Sequence, residues 1–376
     1  STAIMVKCLT NLGAVVRYKL PHRFNDGYGL NKGIVDVIKQ ENCGLFITLD
    51  CGITNVEEIK LIKQETDSNV IIIDHHQIPD PAPRADITLN SKSPDTPKSL
   101  KDLCTAGLVY KLASYIKLQD DRVDELYSLL LAAIGTVADV VSLRGENRRI
   151  VKEGLRLLFK VKNKGLKALL KQANWDKKGL SVYDVGFVIG PRLNAAGRLS
   201  SAMYGVELLL TDDKQKAEEI AQYLEKINVQ RRDLDRNVVA ESMDLVNQTE
   251  GYKDQSVLVL GKEEWHAGVI GIAASKLVSE YSKPVVIVGI DKDVARGSAR
   301  SMGDVNIYQL LKECSHLFSS FGGHKLAAGF SLKPENFGKF KETLEQVVKT
   351  TIKQDVLVDS MDVDMKLETT DIYEAF

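Results

Sequence analysis

The sequence predicts an α/β protein in which a domain built on a parallel sheet is joined by a long helix to a smaller α/β domain. In the first hundred residues, continuous branched-apolar stretches alternate with amphipathic ones, a pattern typical of a parallel sheet covered by helices on both faces. Residues 213–248 have the pattern of one charged helix without Gly or Pro, and the strand–helix alternation resumes after it. A chain of 376 residues is long enough for two or three domains.

The first domain begins with a predicted helix over residues 2–12. We predict strands at 14–20, 44–50, 69–76 and 86–90, a loop at 21–30, and helices at 31–40 and 54–65. Asn31 is the predicted N-cap of the first of these two helices. Thr54 is that of the second, with Glu57 at the capping-box spacing. The strands ending at Asp50 and His76 are expected to be neighbours, so that their carboxyl ends share one crevice.

A helical region follows from residue 104 to residue 172. One of its helices, at 125–143, is apolar nearly all round and is therefore expected to be buried, with Asp139 as the lone acid of its second half. Residues 190–200 are predicted to be a loop between helices. The long helix at 213–248 would span ~54 Å at ~1.5 Å per residue, and we expect it to bridge the two domains rigidly.

The second domain is predicted from the renewed alternation. We expect strands at 256–261 and 284–290, helices at 267–281, 305–314 and 334–353, a hairpin at 291–301 and a loop at 321–330. The tail has strand and helix starts but no core of its own. The predicted domains are therefore 1–212, a connecting helix at 213–250, 251–353, and a tail at 354–376 that begins a further domain.

Composition narrows the class of protein. A net charge of -1 gives no overall basic field, although a local basic groove remains compatible with it. The five cysteines are scattered without a C-x-x-C pair, which argues for a reducing compartment and against a disulfide framework or a zinc ribbon. No apolar run reaches the ~18 residues of a membrane span, and no signal peptide is evident, so the cytoplasm is expected.

Acids and histidines at strand ends carry the strongest chemical signal. Asp50 ends one predicted strand, and Asp74, His75 and His76 end the next, with Asp139 further on. Mn²⁺ and Mg²⁺ take carboxylate oxygens, and Mn²⁺ also accepts imidazole. Any one of these residues is more simply a turn, cap or loop residue. As a set they favour a metal site for phosphoryl transfer, in which a pair of ions holds the attacking and leaving oxygens.

Three further stretches combine small residues with hydrogen-bond donors. Residues 190–199 offer Arg192, Asn194 and Arg198 among small residues, which suits phosphate binding, although a helix–helix turn with solvated arginines explains them equally well. The other candidate binding residues lie in the second domain and are Ser298, Arg300, the Gly322–Gly323 pair, His324, Trp265 and His266. The glycine pair is predicted to form an anion-binding nest. Trp265 and His266, at the predicted start of a helix, suit base stacking or phosphate contact, or else simple packing.

These motifs together resemble the DHH phosphoesterases. The family likeness is carried by DHH at 74–76 after an apolar strand, by TLDCGI at 48–53 and by GTVADVV at 135–141. The stretches GPRLNAAGRL, WHAGVIGIAASKL, GSARS and GGHKLAAGF narrow it to the single-strand-specific 5′→3′ DNA exonucleases of that family. The resemblance covers nearly the whole chain. It implies a DHH domain joined by a long helix to a DHH-associated domain, acting in DNA repair and recombination.

The resemblance also implies a role for each candidate residue. Asp50 would bridge two Mn²⁺ or Mg²⁺ ions, His75 and Asp139 would bind one of them, Asp74 would support the site, and His76 would contact phosphate or position the attacking water. The binding residues of the 190–199 stretch would hold the strand near the scissile phosphate. Ser298, Arg300, Gly323 and His324 would grip the DNA from the DHH-associated domain. The product would be 5′-mononucleotides.

The chain departs from the family pattern at both ends. The family has an Asp-x-Asp-type metal-binding motif on its first strand, whereas this sequence begins with Ser1 in what resembles the following helix. The last residues resemble the approach to an OB-fold domain. We therefore expect an excised core that binds metal more weakly and lacks catalytic competence without its missing strand.

Two other functions stay open from the sequence. One is a DHH-family enzyme for short oligoribonucleotides or cyclic dinucleotides, and the other is a non-catalytic nucleic-acid-binding relative. The partners implied by the resemblance are single-stranded DNA, a helicase and a single-strand-binding protein, with no membrane, and the chain is expected to be a monomer.

Overall fold

The computed structural model describes residues 1–21, 29–31, 33–252, 255–351 and 366. The chain divides into two compact units, Ser1–Val229 and Gln230–Phe376. Most of the predicted loop at 21–30 and nearly all of the predicted tail at 354–376 lie outside the described residues. In the part of the chain that is described, no helix is long and apolar enough to span a membrane.

The first unit alternates helices and strands and then becomes helical. Its elements are α1 Thr2–Asn11, α2 Gly33–Gln40, β1 Leu45–Leu49, α3 Val56–Glu65, β2 Asn69–Asp74, β3 Ile87–Asn90, α4 Thr105–Lys117, α5 Glu125–Ala138, α6 Gly145–Gly154, α7 Lys164–Gln172, α8 Val182–Asp184, α9 Gly190–Leu199 and α10 Met203–Leu210. Helix α11, Lys214–Gln248, is continuous, as predicted, and the division between the two units falls within it.

The sheet of the first unit is parallel, with the strand order β1-β2-β3. Leu49 at the end of β1 pairs with Ile73, one residue before the end of β2. One face of the sheet packs on α2 and α3 through a cluster that includes Ile59 and Ile72, while Ile73 belongs to the larger cluster of the helical region. The predicted doubly covered parallel sheet is confirmed, and the ends of β1 and β2 lie side by side.

Residues 14–20 form no strand, contrary to the prediction. Val16, Tyr18 and Leu20 do alternate with exposed residues, and the last two pack against the main core. No strand among the described residues pairs with this segment. The period-2 burial that predicts a strand is therefore present, but the ladder that would make it one is absent from the described chain.

Two predicted helix boundaries are wrong for local reasons. The N-cap of α3 is Asn55 rather than Thr54, and the predicted capping box does not form, because the Asn55 side chain bonds to the backbone of Leu30 and donates to Glu58. Asp139 is the C-cap of α5 rather than a residue inside it. Helix α5 is buried as expected and stops there, since Val140 adopts a left-handed φ of 57°.

The stretch GPRLNAAGRLS is a helix, not the predicted loop. Pro191 stands in the first turn of α9, where a missing N–H costs nothing, and Ala195 and Ala196 are fully buried against neighbouring elements. A π-helical turn, Val185–Ile189, runs directly into this helix. Small residues predicted a loop here, whereas they serve close packing of a helix.

Asp184 is a buried carboxylate whose contacts make the first unit sensitive to acid. It is 1% exposed and accepts hydrogen bonds from Lys177 Nζ (2.8 Å), Ser181 N (2.9 Å) and Ser181 Oγ (2.6 Å). Burial alone would raise its pKa, but the bonds from Lys177 and Ser181 outweigh burial and lower the pKa to about 2.

Replacing Asp184 with Asn is expected to lower the free energy of unfolding at neutral pH by about 1–2 kcal/mol, a figure discounted for the exposure of Lys177. Because the folded pKa is depressed, the carboxylate stabilises above its unfolded pKa, and that contribution is lost as pH falls from roughly 4 towards 2. Urea unfolding as a function of pH measures it. The exposed Asp176→Asn is the control, and equal acid sensitivity of both variants would contradict the assignment.

The second unit contains a five-stranded mixed sheet in the order β4-β5-β6-β8-β7. Its elements are β4 Leu258–Glu263, α12 Ile270–Tyr281, β5 Val285–Ile290, β6 Ala295–Arg300, α13 Ile307–Lys312, β7 Phe318–His324, β8 Ala327–Leu332 and α14 Phe337–Thr351. The predicted hairpin is formed by β5 and β6, which are antiparallel. The predicted loop at 321–330 is instead the β7–β8 hairpin. Its glycines predicted a loop, but strand pairing accommodates them.

Candidate metal centre and nucleic-acid surface

Asp50 lies at the end of β1 in a tight turn. Its φ is 67°, a left-handed value that Asp tolerates better than most residues, and its N–H bonds to the Ile73 carbonyl at 3.0 Å. Gly52 follows with φ 101°, and a Cβ there would lie 2.5 Å from Thr48 Oγ1. The turn therefore requires glycine and directs Asp50, whose side chain is half exposed, outward at the sheet edge.

Asp74 ends β2 and is 1% exposed. Its carboxylate accepts hydrogen bonds from the backbone N–H groups of Ile53 (3.2 Å), His75 (2.7 Å) and His76 (3.2 Å), and its Oδ1 lies 2.7 Å from His76 Nδ1. Burial would raise the pKa of Asp74, but the bonds from His76 and Ile53 outweigh burial and lower it. Asp74 is thus an ionised anchor that ties together the turns after β1 and β2.

His75 lies between two carboxylates. Its Nε2 is 3.5 Å from Asp50 Oδ1, and its Nδ1 is 3.5 Å from Asp139 Oδ2. One ligand atom each from Asp50, His75 and His76 lie within 4.8 Å of one another. Asp139 reaches the same imidazole from the other side. The predicted constellation is therefore brought together at one edge of the sheet, by the ends of two strands and one helix.

The electrostatics of the cluster differ from residue to residue. The hydrogen bond to Asp74 raises the pKa of His76 above its ordinary value, against the opposing effect of burial. Burial raises the pKa of Asp139, and the nearby charge of Asp50 adds to this while His75 acts in the opposite direction. Carboxylates and imidazoles that crowd one another in this way are the donor set that divalent cations stabilise, and they fit Mn²⁺ or Mg²⁺.

The candidate residues of α9 do not share one environment. Arg192 is 9% exposed, forms an ion pair with Glu225 and donates to the Val188 carbonyl at 2.8 Å. Its predicted role as a phosphate ligand stays a prediction, and in this structure its charge is paired with the carboxylate of Glu225. Asn194 is exposed and Arg198 is half-buried, so these two remain candidates. Glu225 belongs to none of the sequence motifs, so its pairing with Arg192 could not be predicted from the sequence.

Ser298 and Arg300 lie on one face of β6, where Arg300 Nη1 donates to Ser298 Oγ at 3.0 Å. Strand register extends that face across β8 to β7, because directly paired residues point to the same side. Three cross-strand rows result: Arg296–Ser331–Ser320, Ser298–Gly329–Gly322 and Arg300–Ala327–His324. We call these positions the glycine-centred face; each is exposed or half-buried, and the opposite face carries buried residues such as Phe330.

The predicted anion-binding nest at Gly322–Gly323 is wrong. Gly322 and Gly323 are paired with β8 in a regular ladder, so they form no nest of consecutive N–H groups. Gly323 points to the opposite side from His324. A Cβ there would lie 2.5 Å from the Ala327 carbonyl oxygen, so its smallness serves sheet packing.

Trp265 and His266 precede α12 rather than begin it. Trp265 is 6% exposed and donates from its indole to Glu241 at 2.8 Å, so the packing interpretation holds and base stacking is corrected. His266 is half-buried, and its Nδ1 accepts from the Gly268 N–H at 3.0 Å. The segment lies beside the glycine-centred face, because a Cβ on Gly289, the partner of Arg296, would be 2.1 Å from the Trp265 carbonyl oxygen.

Two family models match this chain. One is the DHH family, N-terminal domain, over residues 1–134, and the other is the DHHA1 domain over residues 254–350. The single-stranded-DNA-specific exonuclease RecJ of Bacillus subtilis is 37% identical over 376 residues, which cover 99% of this chain and 47% of that protein. The chain therefore spans about half the length of this curated relative.

Solved structures match both units. A crystal structure of exonuclease RecJ bound to manganese is 32% identical with a TM-score of 0.77, over 93% of this chain and 86% of that one. RecJ from Thermus thermophilus in complex with Mn²⁺ is 31% identical with a TM-score of 0.79, over 93% of this chain and 50% of that one. Each match covers 93% of this chain and therefore includes residues of both units.

Proposed function

Because this chain belongs to the DHH family of phosphoesterases, on its RecJ branch, we propose that it hydrolyses single-stranded DNA from the 5′ end to 5′-mononucleotides, in DNA repair and recombination. The family predicted from the motifs is confirmed by the matched models and relatives. The observation that carries the proposed chemistry is the cluster of Asp50, His75 and His76, with ligand atoms within 4.8 Å at the carboxyl ends of adjacent parallel strands.

The donor set supports Mn²⁺ or Mg²⁺ as the cofactor. Asp50, His75 and Asp139 are the residues that would hold the ions. When bound, a pair of divalent ions stabilises charge on the attacking and leaving oxygens of a phosphodiester. The chain itself must position the side chains of the site, and Asp74 does this for His75 and His76. Asp74 accepts from the N–H groups of His75 and His76, which holds the segment after β2, and from the N–H of Ile53, which ties that segment to the turn after β1.

Asp74 also directs His76. In the contact of 2.7 Å, the Nδ1–H of His76 donates to Asp74 Oδ1, which fixes the orientation of the imidazole ring. The ring is partly exposed. This arrangement supports contact of His76 Nε2 with the substrate phosphate or with the attacking water, with Asp74 as the positioning residue.

The glycine-centred face supports binding of the DNA backbone. Arg300, Ser298 and His324 offer donors around two exposed glycines, Gly329 and Gly322, and the nine positions include no carboxylate. Gly271 of α12 approaches so closely that a Cβ there would be 2.9 Å from both Arg300 Nη2 and Ser298 Oγ. Donors beside accessible backbone are suited to phosphates. Asn194 and Arg198 are proposed to hold the strand near the metal centre.

Replacing Gly322 with Asp is expected to weaken binding of single-stranded DNA about tenfold at low salt, because it places a carboxylate on this face. No heavy atom lies within 4 Å of a Cβ at this position, so the new side chain fits. Gly322→Asn is the matched control, with the same shape and no charge. Fluorescence anisotropy with a labelled oligonucleotide measures the affinity, and equal weakening by Asp and Asn would contradict a phosphate-binding face.

The proposed function is tested by following Mn²⁺-dependent release of nucleotides from 5′-labelled single-stranded DNA. The chain is assayed beside a version extended at its N-terminus, on long single strands, duplexes and dinucleotides. Release of 5′-mononucleotides from long single strands supports the proposal. Preference for dinucleotides would support a short-oligonucleotide phosphodiesterase instead, and DNA binding without hydrolysis under any divalent metal would support a non-catalytic relative.

The cellular setting is also proposed. The five cysteines are free thiols. Thiols persist in a reducing compartment, which supports the cytoplasm as the location. A helicase and a single-strand-binding protein as partners, a monomeric state, and the predicted domain boundaries at 212, 250 and 353 are part of the same proposal.

A further inference from the structure

We propose that the row formed by Arg296, Ser331 and Ser320 is a second phosphate-binding site, which takes a phosphodiester of the same single strand further along the glycine-centred face. The sequence motifs single out Ser298, Arg300 and His324 but not this row. The inference rests on the proposed function for the identity of the strand. It adds a contact that no motif assigns and that can be measured without hydrolysis.

Arg296 supplies the positive charge of the proposed site. It is half-buried on the same side of β6 as Ser298 and Arg300, at the alternating positions of one strand face. In the part of the chain that the structure describes, its guanidinium has no hydrogen-bond or ion-pair partner. Arg192, by contrast, is neutralised by Glu225. An arginine held against a sheet without a carboxylate is left to bind an anion from outside.

The cross-strand neighbours of Arg296 add further hydrogen-bond donors. Arg296 pairs with Ser331 of β8, and Ser331 pairs with Ser320 of β7 across a register shift. The row therefore presents one guanidinium followed by two hydroxyl groups. On its other side Arg296 pairs with Gly289 of β5, whose missing side chain admits the Trp265 carbonyl, and Gly289 pairs in turn with Lys262 of β4. These are donors that bind phosphate oxygens and place no negative charge nearby in the row.

The two arginines of the face are well separated along β6. Arg300 lies four residue steps after Arg296 along β6, which places the two rows ~13 Å apart at ~3.3 Å per residue. The face is about 10 Å wide from β6 to β7, two strand spacings of ~4.8 Å. Between the arginines lies the row of Ser298, Gly329 and Gly322, which has almost no side chains to obstruct a ligand. A polyanion that contacts both arginines must therefore extend over more than one phosphate.

The chemistry of the face favours a nucleic-acid backbone over a protein partner. Its side chains are Arg, Ser, Ala and His, so it offers no large apolar or aromatic anchor of the kind that dominates protein interfaces. Glycines leave the sheet backbone accessible, and the surrounding donors recognise phosphate without reading the base. Binding here is expected to be independent of sequence and steeply dependent on salt.

The test is the salt dependence of binding of a long oligothymidylate, measured without divalent metal. Arg296→Ala is expected to weaken binding about tenfold at low salt and to reduce the slope of log K against log salt by about 0.7, the share of one phosphate contact in a single strand. Arg296→Lys should restore the slope, since it restores the charge. Lys292→Ala is the matched control, because it removes one charge from the exposed turn of the same β5–β6 hairpin.

The outcomes separate this inference from the proposed function. If the protein binds the oligonucleotide and Arg296→Ala leaves affinity and slope like Lys292→Ala, the second site is wrong while the exonuclease proposal stands. If Arg296→Ala changes the slope but the extended protein cuts nothing, the site stands and the catalytic proposal fails. If the protein binds no single-stranded DNA at all, the second site is wrong.

Discussion

Asp50→Asn is expected to abolish Mn²⁺-dependent hydrolysis of single-stranded DNA in the N-terminally extended protein, with a loss of about three orders of magnitude or more, ~4 kcal/mol in the barrier. The physical reason is that Asp50, at the end of β1, supplies a carboxylate oxygen 3.5 Å from His75 Nε2. Nucleotide release from labelled DNA measures the rate. Calorimetric titration with Mn²⁺ gives a second measurement, which should show weaker binding even where activity is low.

Asn is preferred to Ala at this position because of the backbone. Asp50 has a φ of 67°, which Asn accepts far better than Ala, so Asn removes the charge without straining the turn. The control is Asp67→Asn, which removes an exposed carboxylate just before the opposite end of β2. A variant at Asp50 that kept both the rate and the Mn²⁺ affinity would remove this residue from the metal site.

Asp74→Asn is expected to reduce hydrolysis about 10²- to 10⁴-fold and to lower the free energy of unfolding by about 2–4 kcal/mol. Its carboxylate accepts three backbone N–H bonds and a bond from His76. An amide has only one acceptor oxygen, and its NH₂ group would face N–H groups that now donate to the carboxylate. The loss of rate follows because His76 is no longer held by Nδ1. Steady-state kinetics at a temperature where the variant is fully folded measure it.

A positioning role is separated from a structural one by a double-mutant cycle. In a His76→Ala background, Asp74→Asn should cause a smaller further loss of rate than in the unmodified protein, because one of the two histidines that depend on Asp74 is gone. Asp86→Asn is the matched structural control, since Asp86 also accepts from a backbone N–H of β2, that of Val70, and from Lys63. Additive losses at Asp74 and His76, or an equal loss of rate at Asp86, would contradict the role assigned to Asp74.

The parallel sheet and the acid–histidine cluster were both predictable from sequence. Apolar runs that end in Asp50 and in Asp74-His75-His76 are strong local signals, and sheet topology brings the ends of parallel strands together without further information. The same local signals misled at α9 and at the β7–β8 hairpin, where small residues indicated loops. Glycine and alanine are ambiguous because they serve both turns and close packing.

The state of individual polar residues was not predictable. Arg192 and Arg296 are both arginines among small residues, yet one is neutralised by Glu225 and the other has no partner among the described residues. Trp265 was predicted to stack on bases or to pack. In the structure it is buried and its indole donates to Glu241, which is a packing role. Such outcomes depend on residues distant in sequence, for which one sequence has no signal.

The sequence by itself determined the fold class, the family and the residues of the candidate metal centre, because these depend on periodicity and on motifs that are local in the chain. Tertiary structure alone decided which donors are available to a ligand. It placed Arg296, Arg300 and His324 on one face through strand register and turned Gly323 to the other side. Elsewhere in the chain it paired Arg192 with Glu225 and buried Trp265. Availability is a property of contacts between distant segments, and those form only when the chain folds.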